Sequence, residues 1–368
     1  MLLFIAALDI AGLRGKADSL DIIHWKVETI RTINARLGDS KKVATDGTIA
    51  AVASLAHLEN LAGTAESARI HATGLEALVR SRGGLQNLGA HDMTRRIVSW
   101  SDICTSIILE RKPRYEPIFF KEETSVTNRS PPSTLAHQYQ TNIFELTGMY
   151  DLSEELVTLL EELRTLSYLK EKAAYSLAEG EEIDSISFTD TADHLERRLV
   201  PLAQLGPVFN QTLDCFLFVI FGYATLIHLY LFIRDCSKDL PFSHLLSHRI
   251  RTVLTRVDTQ QLETQLPEMM LWIYIMGGLS GSPSLERTWF ADRAAHFCRE
   301  SGLCGTEQIK DMLEDFLWSD LYRSPVTERF WKELAKAQDS VVGYEVRRMA
   351  DCVSLVYFNA PPDFEDSI

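Results

Sequence analysis

Residues 215–233 read CFLFVIFGYATLIHLYLFI, nineteen consecutive positions without a formal charge. This stretch decides the fold. Its length is close to the roughly 20 apolar residues that cross a bilayer, and a helix apolar on all sides also occupies the centre of large helical domains. Three features favour the second reading. His228 lies within the run, where an ionisable group is costly in hydrocarbon. Asp214 precedes the run and Arg234-Asp235 closes it. No juxtamembrane cluster of Lys and Arg sets an orientation. A buried core helix with no membrane contact is therefore expected, and His228 must find a hydrogen-bond partner inside it.

Helical periods dominate on both sides of this run. Ile49, Val52, Ala53, Leu55, Ala56 and Leu58 recur at 3–4 spacing, with Asp46 as a candidate N-cap and Gly63 after the last turn. Ile70, Leu75, Leu78 and Val79 follow, stopped by Gly83-Gly84, and then Ile97, Trp100, Ile103, Cys104 and Ile107. A long helix is expected from Ser153 as N-cap, with the stripe Leu156, Leu159, Leu160, Leu163, Leu166 and Leu169. Residues 179–190 are acidic and read as a loop, and Leu195, Leu199, Leu202 and Leu205 lie on one further helix. Met1 to Leu8 lacks the flanks of a signal peptide, and reads as the inside of a helix with Leu2, Ile5, Ala6, Ile10 and Leu13 on one face.

Alternation of period two never persists, so the expected fold is all-α. The expectation is one large domain of packed antiparallel helices over 1–358, with 215–233 central. A polar loop falls near 121–134 (KEETSVTNRSPPST), and an acidic tail occupies 359–368.

Composition narrows the function. The 368 residues are 46% hydrophobic, enough for a sizeable core. A net charge of −14 argues against direct DNA binding, which needs clustered Lys and Arg. The six cysteines form no CxxC pair, and they read as free thiols in a reducing compartment.

Candidate chemistry is sparse. His244 and His248 stand at i, i+4 in HLLSH, but Leu245 occupies the place where a metalloprotease has Glu. His296, Cys298 and Cys304 cluster in sequence without a nearby acid. Gly277-Gly278 with Gly281 lacks the spacing of a phosphate loop. Solvated or core roles are the better reading of each, so no catalytic residue, cofactor or metal is expected. A polar anchor in the most apolar helix could serve an effector pocket between helices, for which Tyr223, His228 and Trp272 are the candidates.

The block 269–331 carries a resemblance. It holds a Leu/Trp run from Trp272 to Gly277-Gly278, then Arg287-Thr288-Trp289-Phe290, then Phe316-Leu317-Trp318-Ser319-Asp320. Further pieces lie upstream in the same order: Asp46 to Val52, His71, Arg82-Gly83-Gly84-Leu85, Trp100-Ser101-Asp102, Lys112-Pro113-Arg114-Tyr115, and Ile233-Arg234-Asp235. Together they resemble the regulatory domain of fungal zinc-cluster transcription factors. The glycine pairs read as helix stops that need positive φ. Arg114 and Arg287 are expected to bind helix carboxyl ends or acids, and Asp102 and Asp320 to accept hydrogen bonds.

The resemblance implies a transcription regulator in the nucleus that acts through partners of the transcription machinery, a homodimer or a small effector. The binuclear zinc cluster of that family needs six closely spaced Cys, which this sequence lacks; a basic linker and a heptad dimerisation segment are not found either. The expectation is a regulatory domain that does not bind DNA unaided. A stand-alone helical small-molecule binder or enzyme in the cytoplasm is the alternative. A gene whose zinc cluster lies in an upstream exon is a third.

Overall fold

A computed structural model describes residues 20–61, 65–89, 93–116, 133–176, 185–205, 213–236, 240–281, 285–325 and 327–339. Among these residues there are helices and no strand, so the chain is all-α. In chain order the helices are α1 (Leu20–Leu37), α2 (Asp46–Leu61), α3 (Ala65–Ser81), α4 (Met93–Ile108), α5 (Ala136–Thr147), α6 (Tyr150–Ser176) and α7 (Ser185–Ala203). They continue with α8 (Leu213–His228), α9 (Pro241–Leu254), α10 (Gln260–Gln265), α11 (Pro267–Ser280), α12 (Glu286–Glu300), α13 (Gly305–Leu313) and α14 (Glu328–Asp339). The expected helix over 1–13, Gly63, most of the 121–134 loop and the 359–368 tail lie outside the described residues.

The apolar run becomes α8 and a π-helical turn, Leu229–Ile233. Helices α5, α6, α7, α9 and α11 all pack against α8. Among the described residues, Cys215–Ile233 is long and apolar enough to cross a membrane, but 89% of its apolar window is buried inside the protein. Apolar side chains on every side of a helix need neighbours on every side, and here other helices supply them. One core cluster runs from Leu61 to Leu334, and a smaller one, including Ile49, Val79 and Val98, joins α2, α3 and α4.

Several helix ends follow from local chemistry. Pro241 and Pro267 open α9 and α11, where a missing N–H costs nothing. Gly83 (φ 84°) and Gly84 (φ 107°) end α3 in the left-handed half of conformational space, as expected. At α2 the cap belongs to Thr45, whose Oγ1 accepts from the Thr48 amide at 3.4 Å, and Asp46 pairs with Arg82 instead. Ser153 lies inside α6, because left-handed Gly148 lets that helix start a turn earlier; the Ser153 hydroxyl donates to the Met149 carbonyl at 2.7 Å. The acidic stretch was expected to be a loop, but its described part, from Ser185, begins α7.

The second glycine pair is no helix stop. Gly277 and Gly278 sit within α11 and are absent from the positive-φ glycines. Their function is steric. A Cβ on Gly277 would run into the ring of Phe290 on α12, and one on Gly278 into the ring of Phe330 on α14. The missing side chains let two helices bring aromatic rings against the α11 backbone.

Along the 18 residues of α1, Leu20, Ile23, Val27, Ile30, Asn34 and Leu37 recur at alternating spacings of three and four.

Gly277→Ala and Gly278→Ala should each destabilise the fold by about 1–3 kcal/mol, the cost of overpacking a filled core. Gly74→Ala is the control. No atom lies within 4 Å of a Cβ built there, in mid-α3, and the substitution should stabilise by up to about 1 kcal/mol. Guanidinium unfolding of the three variants measures both signs.

Candidate functional site

His228 is fully buried, and both of its ring nitrogens are bonded. Nε2 lies 2.8 Å from the hydroxyl of Ser167 on α6, and Nδ1 lies 2.8 Å from the hydroxyl of Tyr322, in the 3₁₀ turn Asp320–Arg323. Trp272 Nε1 on α11 donates to the same tyrosine oxygen at 3.1 Å. Ser167 donates its proton to the Leu163 carbonyl at 2.9 Å. These contacts assign the tautomer. With its hydrogen on Leu163, Ser167 must accept from Nε2–H. Nδ1 then accepts from Tyr322, and Tyr322 accepts from Trp272. One direction of donation satisfies every member, from Trp272 through Tyr322, His228 and Ser167 to the α6 backbone. Burial keeps the imidazole neutral, with its pKa down to about 3.

The structure thus brings two of the three effector candidates together, since the His228 and Trp272 ring centroids are 6.1 Å apart. Tyr223 lies elsewhere along α8, under the guanidinium of Arg249 at 5.5 Å. Ser167 and Tyr322 carry no sequence signal for this role. They lie 61 and 94 residues from His228, within an ordinary leucine helix and a turn.

The π turn delivers a second polar centre. Its wider hydrogen bond joins the Arg234 amide to the Leu229 carbonyl at 2.8 Å. Arg234 then reaches α7, where its Nη2 donates to Asp193 at 2.5 Å and to fully buried Glu196 at 2.7 Å. The Tyr230 hydroxyl donates to the other Glu196 oxygen and accepts the Cys104 thiol at 3.0 Å. Burial raises the Glu196 pKa, with Arg234 opposing the rise. Burial also works against the Arg234 cation, but Glu196 and Asp193 outweigh it and hold its pKa up. The guanidinium lies 4.8 Å from the centre of the Trp100 ring, which in turn stacks on His57 at 3.8 Å. Burial, then the nearby Arg234 charge, lowers the His57 pKa to about 3.

The remaining candidates are dispersed. His248 is exposed, 3.2 Å from Glu286. Cys298 is buried, which pushes its thiol up to about 12, and Cys304 is exposed. Among the described residues no three His, Cys, Asp or Glu side chains converge to hold a metal ion. The Arg and Asp expectations fit the geometry. Asp102 accepts from the Arg114 and Tyr115 amides at 2.7 and 3.1 Å, Arg114 pairs with Glu76, Arg287 pairs with Glu333, and Asp320 accepts from Trp318 Nε1 at 3.1 Å.

Tyr322→Phe strands two buried groups, Trp272 Nε1 and His228 Nδ1, and should cost about 1–3 kcal/mol for each in chemical denaturation. A pH series provides an independent check. The folded pKa of His228 lies below its ordinary 6.5, so the fold binds fewer protons than the unfolded chain below that pH. The stabilising contribution is complete above 6.5 and is lost as pH falls toward about 3, at about 1.4 kcal/mol per pH unit. His228→Gln should remove one proton's worth of this slope. The difference between variant and parent isolates His228 from His57 and the carboxylates.

No curated protein and no solved structure matches the chain. A family model does, the fungal specific transcription factor domain, over residues 2–337. That span takes in the apolar helix, both buried polar centres and the Gly277-Gly278 packing, so the chain belongs to the fungal-specific transcription factor domain family.

Proposed function

We propose that this transcription-regulator-like chain is a non-enzymatic module that works in the nucleus through protein partners, self-association or a small effector, without contacting DNA itself. The observation that carries the reading is how the buried polar groups are used. His228, Glu196 and Arg234 each bind side chains of other helices, which is the chemistry of holding a fold together. The arginines support the DNA-free half. Arg198 binds Glu155 and Glu162, Arg164 donates to the Phe316 carbonyl, and Arg249 donates to the Ile107 and Ile108 carbonyls. These cations are held by partners within the chain, and the net charge of −14 opposes the approach of phosphates.

For an effector, the candidates are Tyr223, His228 and Trp272, of which His228 and Trp272 lie together with Tyr322 as the group an incoming ligand must replace on His228, and Tyr223 lies apart under Arg249. The domain is taken as one unit over 1–358 with an acidic tail at 359–368.

The test is a fusion of the full chain to an unrelated DNA-binding domain upstream of a reporter gene. The fusion should change expression several-fold and accumulate in the nucleus. A fusion that is nuclear yet inert overturns the regulatory reading. The purified chain should leave duplex DNA unshifted at physiological salt, and a sequence-specific shift overturns the DNA-free half.

A further inference from the structure

Of the Phe, Tyr and Trp side chains among the described residues, Phe144, Tyr150 and Tyr168 are exposed, and two of these meet at one elbow of the fold. Phe144, in the last turn of α5, and Tyr150, the first residue of α6, are 43% and 54% exposed. Their ring centroids lie 6.0 Å apart, edge to face at 78°. Aromatic rings are enriched at protein interfaces, because covering them removes a large apolar area from water. The elbow holds this pair in place. Left-handed Gly148 donates its amide to the Phe144 carbonyl at 2.7 Å. The Thr147 hydroxyl donates to the Ile143 carbonyl at 2.7 Å and accepts the Met149 amide at 3.2 Å. Earlier in α5, Asn142 donates to the Gln265 carbonyl at 2.8 Å and Tyr139 donates to Glu268, which ties the helix to α10 and α11. A ring pair fixed before any partner arrives lowers the ordering cost of binding.

Charge selects the occupant. Residues 133–163 contain no Lys or Arg, and six carboxylates: Glu145, Asp151, Glu154, Glu155, Glu161 and Glu162. Glu155 and Glu162 bind Arg198, and Glu161 accepts the Ser133 amide at 2.9 Å. Glu145, Asp151 and Glu154 are exposed and form no ion pair among the described residues. Glu145 adjoins Phe144, Asp151 adjoins Tyr150, and Glu154 stands one turn on from Tyr150, on the same face of α6. Asp151 has a local use, since the helix dipole favours an anion in the first turn of α6. For Glu145 the dipole works the other way. It lies in the last turn of α5, where an anion is disfavoured, and no basic residue of that turn offsets it. Exposed rings flanked by unpaired carboxylates complement a guanidinium, which stacks flat on a ring and donates in parallel to a carboxylate. A second copy of the elbow would set carboxylate against carboxylate, and a phosphate would be repelled in the same way.

We propose that the α5–α6 elbow docks a basic segment of a partner protein through an arginine, whose guanidinium lies against Phe144 and Tyr150 and pairs with Glu145 or Glu154. The proposal deepens the partner-binding reading above and rests on it for the use of the face.

The probes are three short fluorescent peptides of Gly and Ser around one Leu. They are alike except that the same positions carry Arg in the first, Lys in the second and Glu in the third. Fluorescence anisotropy with the full chain should show the Arg peptide binding about threefold or more tightly than the Lys peptide, the gain expected of an exposed ring contact. The Glu peptide should not bind. Phe144→Ala with Tyr150→Ala should erase the preference for Arg. Glu145→Gln with Glu154→Gln should weaken both basic peptides. The same change of charge at exposed Glu300 and Asp339, on α12 and α14, should weaken them less. All of these side chains are exposed, so each variant should keep the thermal unfolding midpoint of the parent.

Equal binding of the Arg and Lys peptides overturns the proposal, and so does no binding of either. An effect at Glu300 and Asp339 as large as that at the elbow assigns the attraction to the net charge of the chain, and overturns it as well. Light scattering that finds a dimer split by the Phe144 and Tyr150 substitutions gives the elbow to a second copy, with the same result. The reporter fusion separates the two levels. Failure of peptide binding with an active fusion removes only the elbow site, whereas an inert fusion removes the regulatory reading itself.

Discussion

Burying one helix on all sides is the constraint that the rest of the structure answers to. Water contact would be costly for nearly every side chain of α8, so other helices must surround it. The one histidine in that run is then sealed in with it. His228 is tolerated because Ser167 and Tyr322 meet its two nitrogens and Trp272 completes the far end. The bonds also fix geometry. They join α6, α8, α11 and the turn at Tyr322, so the lateral positions of these elements are set by directional contacts as well as by the non-directional pull of apolar burial.

The fold class and the central helix were legible because they depend on patterns within one segment: period, uninterrupted apolar length and a charged boundary. The expectation that His228 needs a partner was legible for the same reason. The identity of the partner was not. Ser167 looks like any serine on a leucine-rich helix, and Tyr322 like any tyrosine after a Trp-containing turn. The two glycine pairs show the limit most clearly. Gly83-Gly84 and Gly277-Gly278 look alike in sequence, and both suggest a helix stop. The first is one, because its φ values are positive. The second lies within a helix, and its reason is the approach of Phe290 and Phe330 from helices later in the chain. Contacts between segments leave no periodic trace. Of the effector candidates, proximity joined His228 to Trp272 and left Tyr223 under Arg249, a division that spacing along the chain does not reveal.

Charge is distributed with the same economy. Several arginines close the carboxyl ends of helices: Arg249 on Ile107 and Ile108 of α4, Arg164 on the carbonyls just beyond α13, and Arg299 on Ala337 of α14. A cation there binds orphan carbonyls and opposes the negative end of the helix dipole. Arginine used this way is structural, and the acidic excess is left to set the sign of the surface.

The distance along the chain between His228 and Tyr322 has a consequence for synthesis. At about 5–20 residues per second, the 94 residues between them take roughly 5–20 s to emerge from a ribosome. Through that interval the most apolar helix of the chain exists without Tyr322, for its first part also without α11, and the imidazole in its middle lacks its Nδ1 partner. A nascent chain in this state resembles a membrane span more than it resembles its own finished fold. Until the carboxyl-terminal third has been made, the exposed apolar surface of this helix is the part of the chain most prone to aggregation.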